Sequence, residues 1–257
     1  MPVTVGVSLK MYFGHRAGRE WAAEVADIAA ATPAVADGRV ELFIAPGYLQ
    51  LIPALEAVAG TRAVIAAQDA TDHDAGPYTG EVSPAELAEV GVGMVELGHA
   101  ERRRLYGETD GVVARKTAAA IRNGLVPVLC VGEPVRVDPL DALAFAREQV
   151  LQAVADAPAG RLVVAYEPVW AIGAPEPAAV EHIRAVCAGL RDLVAEFADR
   201  AGSSVIYGGS AGPGLLAELG DDVDGLFLGR FAHDPEALRA VLAEATALAD
   251  RRRAAVA

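Results

Sequence analysis

Leu162-Val163-Val164-Ala165-Tyr166-Glu167-Pro168-Val169-Trp170-Ala171-Ile172-Gly173 joins an unbroken apolar run to one carboxylate and then to a loop hinged by Pro168 and Gly173. An apolar run without polar alternation is the pattern of a strand covered on both faces, as in a parallel sheet flanked by helices. The carboxyl end of such a strand opens on a pocket. Glu167 is therefore expected between an apolar strand and a closable lid, partly desolvated and a better proton acceptor for it. Taken alone, Tyr166-Glu167-Pro168 fits equally well a carboxylate that caps the strand or pairs with an arginine.

Seven more short apolar runs read as buried strands: Val3–Val7, Glu41–Ile44, Ala63–Ala67, Met94–Leu97, Val126–Val131, Val205–Tyr207 and Leu226–Leu228. Helix-period stretches are expected between them at Arg19–Ala31, Pro84–Val90, Gly111–Asn123, Leu140–Asp156, Ala178–Arg200 and Pro235–Arg252, several opened by Ser, Pro or Asp in capping positions. Eight alternating units with right-handed crossovers favour a closed parallel (β/α)8 barrel, with an open doubly wound sheet as the competitor. No linker, composition break or low-complexity segment divides the chain, so residues 1–257 read as one domain.

The 257 residues are 53% hydrophobic and only 5% aromatic, with 26 glycines, which suits a Val/Ala/Leu-rich α/β protein with a substantial core. A net charge of −13 argues against nucleic-acid or anionic-membrane partners, and leaves an anionic substrate to local cations and backbone amides. Cys130 and Cys187 have neither metal-like nor framework spacing, which fits a reducing compartment, the cytoplasm by default. Met1 to Val7 lacks a signal pattern and no apolar run approaches bilayer length, so a soluble, unprocessed protein is expected.

In a parallel barrel chemistry gathers where strands end. The polar residues there are Ser8 and Lys10 after the first run, Gln68 and Asp69 after the third, His99 and Glu101 after the fourth, Glu133 after the fifth and Glu167 after the sixth. The last two runs end in Gly208-Gly209-Ser210 and Gly229-Arg230. Leu9-Lys10-Met11, Tyr78-Thr79-Gly80-Glu81, Leu97-Gly98-His99-Ala100-Glu101-Arg102-Arg103, Cys130-Val131-Gly132-Glu133, Ala165 to Gly173 and Tyr207-Gly208-Gly209-Ser210 resemble, in order and along nearly the whole chain, the motifs of triosephosphate isomerases.

That resemblance implies a TIM barrel and a cofactor-free, metal-free isomerase of glycolysis and gluconeogenesis, interconverting dihydroxyacetone phosphate and glyceraldehyde 3-phosphate through an enediolate. Glu167 is then the base, and His99 and Lys10 are the donors that meet the developing oxyanion. By the same resemblance Glu101, beside the lysine, and Cys130 support them; for Glu101 and Glu133 a structural carboxylate paired with an arginine fits equally well. Ser8, Gly173, Gly209, Ser210, Gly229 and Arg230 hold substrate and phosphate, the glycines presenting backbone N–H groups at helix N-termini. The loop Asp69 to Ser83 reaches a neighbouring subunit and carries Thr79 to its site, which implies a homodimer.

The chain also departs from the family. Ser8 stands for the usual asparagine, Ala100 for a serine, Ala174-Pro175-Glu176-Pro177 for the lid's Thr-Gly-Lys, and Arg230 for a glycine. These changes resemble isomerases of four-carbon ketose phosphates such as erythrulose 1-phosphate, the alternative substrate class. A non-catalytic phosphate-ligand binder is a further alternative, motivated by Ser8 and the altered lid. For Arg230, a guanidinium on the phosphate and one turned outward to pair with an acid fit equally well.

Overall fold

The computed structural model describes residues 1–256. Eight parallel strands, β1 (Val3–Ser8), β2 (Val40–Ala45), β3 (Val64–Ala67), β4 (Met94–Leu97), β5 (Val126–Val131), β6 (Val163–Tyr166), β7 (Ser204–Tyr207) and β8 (Gly225–Leu228), hydrogen-bond in sequence order. β1 pairs with both β2 and β8, which closes the ring and disposes of the open-sheet alternative. The helices are α1 (His15–Ala31), α2 (Pro33–Ala36), α3 (Leu51–Val58), α4 (Pro84–Glu89), α5 (Ala100–Tyr106), α6 (Asp110–Arg122), α7 (Pro139–Val154), α8 (Val180–Ala195), α9 (Leu215–Leu219) and α10 (Pro235–Val256).

Alternation along each strand splits the core in two. Outward residues such as Val5, Val7, Leu42, Ile44, Val95 and Leu97 pack with the helices, while Phe43, Met94, Val128, Val163, Ile206 and Phe227 fill the barrel. The rings of Phe43 and Phe227 lie 5.6 Å apart at the centre. Gly6 makes room for them, since a Cβ there would come within 2.1 Å of Phe43 Cζ. Burying such a ring contributes about 2–3 kcal/mol, so the barrel interior is a packed plug and the open volume lies above it.

Side-chain caps set several helix starts. Ser83 Oγ accepts from the N–H groups of Ala85 and Glu86, with Pro84 as first residue; Asp138 accepts from Leu140 ahead of Pro139. Four helices were not anticipated: α2, α3, α5 and α9. α3 carries Pro53 inside its first turn, where a missing N–H costs nothing. α5 buries no residue, so it has no apolar period to read, and α9 is only five residues long. The stretch expected as one helix over 178–200 is shorter at both ends. Ala178 belongs to the lid, and Arg200 is buried beyond the helix, donating to the carbonyls of Val154, Ala157, Pro158 and Gly160. Among the described residues no helix is long and apolar enough to cross a membrane.

Candidate active site

A cavity of about 640 Å³ opens at the carboxyl ends of the strands. Ser8, Lys10, His99, Glu101, Glu167, Gly173, Ser210, Gly229 and Arg230 all line it. Gly209 does not; its neighbour Gly208 does. Cys130 sits behind Glu167 inside the barrel, and Thr79 lies away from this chain's cavity on an exposed loop.

Lys10 follows β1 in a left-handed backbone conformation, φ +47°. Such a conformation strains a side-chain-bearing residue, and the only other described non-glycine residue in it is Ser210, φ +54°. Both face the cavity. Lys10 Nζ donates to Glu101 Oε1 at 2.9 Å and lies 3.3 Å from His99 Nε2. Burial alone would lower the ammonium's pKa, but Glu167, Glu101 and Glu96 outweigh it and hold the pKa above its ordinary value. Glu101 in turn is depressed: its partial burial would raise it, and the hydrogen bond and charge of Lys10 prevail.

His99 is the N-cap of α5, and its Nδ1 accepts the Glu101 N–H at 3.1 Å. A backbone N–H can only donate, so the ring proton is placed on Nε2, which points toward the cavity. Nε2 lies 3.7 Å from Glu167 Oε2.

Glu167 directly follows β6, its N–H bonded to Val131 O at 2.8 Å. The side chain is buried, and Oε2 has no hydrogen-bond partner. An unpaired buried carboxylate oxygen is costly, and such costs cluster where a ligand completes the arrangement. A Cβ on Gly208 would stand 2.7 Å from both Cγ and Oε1 of Glu167, so that glycine gives the carboxylate its space. Burial pushes the Cys130 thiol well above its usual range, with the charges of Glu167 and Glu96 adding to the effect, so it stays neutral beneath the base.

The lid is fastened at several points. Ser210 Oγ lies 2.8 Å and 2.9 Å from the carbonyl oxygens of Ala171 and Ala174, and Ala178 N–H donates to Tyr207 Oη at 2.9 Å. Behind it, Glu133 accepts from Trp170 Nε1 at 2.7 Å and from Tyr166 Oη, so it braces the lid's root and no arginine pairs with it. Among the described residues Arg230 forms no ion pair; Nη2 donates to Gly173 O at 3.4 Å across the cavity mouth, in place of the outward pairing with an acid. The glycine loops also differ from expectation. Gly229 opens a 3-10 turn rather than an α-helix, and four residues separate Ser210 from α9.

One residue at the site was missed. Glu96, read as part of an apolar strand, points into the barrel from β4 beside Met94. It is 3% exposed, its Oε2 accepts Ser8 Oγ–H at 2.9 Å, and its Oε1 lies 3.9 Å from His99 Nε2. Burial pushes its carboxyl up to about 7, helped by the charge of Glu167, against the pull of His99, Ser8 and Lys10. The available signal was a carboxylate in the middle of a four-residue strand, a costly place for one. Among the described residues no group of three or more His, Cys, Asp and Glu is arranged to hold a metal ion.

Known proteins resemble this chain over most or nearly all of its length. A family model described as triosephosphate isomerase matches residues 3–245. The L-erythrulose-1-phosphate isomerase of Pectobacterium atrosepticum is 47% identical, covering 97% of this chain and 98% of the relative. That of Rhizobium etli is 37% identical over 98% and 95%. The triosephosphate isomerase of an Azoarcus species is 42% identical over 71% of this chain and 78% of the relative.

Proposed function

Because this chain belongs to the triosephosphate isomerase family and is thereby an isomerase, we propose that its substrate is a four-carbon ketose phosphate of the L-erythrulose 1-phosphate type. The observation that carries this choice is the 47% identity, nearly end to end, with a relative of that name. It shifts the balance from the triose substrate that the motifs suggest to the alternative that the altered residues suggest.

In this reading the phosphate lies against Ser210, Gly229, Arg230 and the closed lid at Gly173, with Gly209 shaping the loop behind. The carbonyl oxygen at C2 faces Lys10 Nζ and His99 Nε2–H. Glu167 takes the proton from C3, and the electrons of that C–H bond form the C2–C3 double bond of an enediolate while charge moves to the C2 oxygen. Return of the proton to C2 and transfer of the hydroxyl proton from the C3 oxygen to the C2 oxygen leave the carbonyl at C3. A four-carbon substrate thus yields another ketose, whereas a triose yields an aldose. The base supplies about 10²–10⁴ in rate and each well-placed donor about 10²–10³. The lid excludes water from the enediolate. No cofactor enters these steps.

The triose reading is the second, supported by the relatives named triosephosphate isomerase and by the same three groups. Steady-state kinetics of purified protein on L-erythrulose 1-phosphate and glyceraldehyde 3-phosphate separate the two. A kcat/KM at least about tenfold higher on the tetrulose is expected; the reverse order establishes the triose isomerase. Turnover of neither, with tight binding of 2-phosphoglycolate, makes the protein a binder.

We also propose one domain over 1–257, a cytoplasmic setting consistent with two unpaired buried cysteines, and a homodimer. Thr79 on its exposed loop supports the dimer, as do Met11 and Leu49, which are 96% and 84% exposed. Sedimentation of a monomer alone at micromolar concentration removes that proposal.

A further inference from the structure

The proton transfer above gives Glu96 no task. Its placement gives it one. β4 stands four strands from β8 in a ring of eight, so Glu96 lies on the wall opposite Gly229 and Arg230. A sugar phosphate anchored on the β7–β8 side, with its carbonyl over Lys10 and His99, directs its next carbons toward β4. Glu96 lies just beneath the cavity-lining residues Ser8 and His99: Ser8 Oγ–H satisfies Glu96 Oε2 at 2.9 Å, while Oε1 has no hydrogen bond among the described residues and stands 3.9 Å from His99 Nε2. A carboxyl group with one oxygen held and one free offers a fixed acceptor, or a donor when protonated, at the far end of the substrate. Leaving that oxygen unpaired below an apolar ligand is costly, so the site favours a ligand that brings a hydroxyl.

We propose that Glu96, oriented by Ser8, is a specificity residue that binds the C4 hydroxymethyl group of a four-carbon ketose phosphate, the fourth carbon and hydroxyl that a triose phosphate lacks. This rests on the four-carbon reading. A site built around a hydroxyl discriminates against the analogue without it far more strongly than an apolar pocket discriminates a methylene.

The test compares kcat/KM on L-erythrulose 1-phosphate and on glyceraldehyde 3-phosphate for the full chain and for Glu96→Val, Glu96→Gln and Ser8→Ala, with a thermal melt of each. Glu96→Val is expected to lower the tetrulose-to-triose ratio at least about tenfold, and Glu96→Gln by less, because an amide keeps a hydrogen-bonding head. Equal losses on both substrates in Glu96→Val overturn the proposal. Should that variant fail to fold, Ser8→Ala decides: a fall of about threefold or more in the ratio supports the subsite, and an unchanged ratio overturns it. Absence of tetrulose turnover in the unaltered protein is a different failure, which removes the four-carbon reading and this inference with it.

Discussion

Gly208 has no side chain, yet it sets where the carboxylate of Glu167 rests. An added Cβ would meet Cγ and Oε1 at 2.7 Å, well inside contact distance, and the barrel wall behind Glu167 leaves only the cavity to move into. Gly208→Ala is therefore expected to lower kcat about 10²-fold through misplacement of the base, with an unchanged melting curve. Retention of full kcat would show that Glu167 tolerates a shift of that size. Glu167, His99 and Lys10 were legible in the chain because each stands within a few residues of the end of an apolar run. Glu96 was not. Met94-Val95-Glu96-Leu97 reads as a strand whichever way it faces, and only closure of the barrel turns its even positions toward His99 and Ser8.

The lid and β7 illustrate how an element's chemistry comes from its fastenings. Ala178 is buried, and its N–H is satisfied by Tyr207 Oη alone. In Tyr207→Phe that N–H is stranded whenever the lid is closed, at about 1–2 kcal/mol. Binding of 2-phosphoglycolate, measured by calorimetry, is expected to weaken about 5–30-fold as the closed state loses that free energy. Unchanged affinity would mean that closure does not depend on this bond. The strands were readable from apolar runs and turn residues, since period and burial are local properties of a covered strand. The lid's fastenings were not, because Ser210 and Tyr207 lie 36 and 29 residues from their partners Ala174 and Ala178.

At the scale of the whole molecule, a carboxyl group in the barrel is a liability whose size depends on pH. Glu96 is raised from 4.5 to about 7 by burial, so the folded state binds its proton more tightly than the unfolded chain. The associated stability is fully present below pH 4.5 and is lost as pH rises through 7, at about 3 kcal/mol. Glu96→Gln cannot ionise. Relative to it, the unaltered protein is expected to lose about 6–10 °C of melting temperature between acid and alkaline conditions, with the gap levelling off above about pH 8. Parallel melting profiles would place the carboxyl at its ordinary pKa. What the sequence by itself determined is the alternation of covered strands and helices, and with it the strand ends that carry Lys10, His99 and Glu167; the β1–β8 pairing closed the ring. The alternation and the strand ends follow from patterns within a few residues of each other. Only the tertiary structure decided that Ser8 and Glu96, 88 residues apart, share one hydrogen bond beneath those strand ends, and that Arg230 reaches the lid rather than an acid. Such contacts depend on where distant strands bring their side chains across a closed interior, and no local period encodes that.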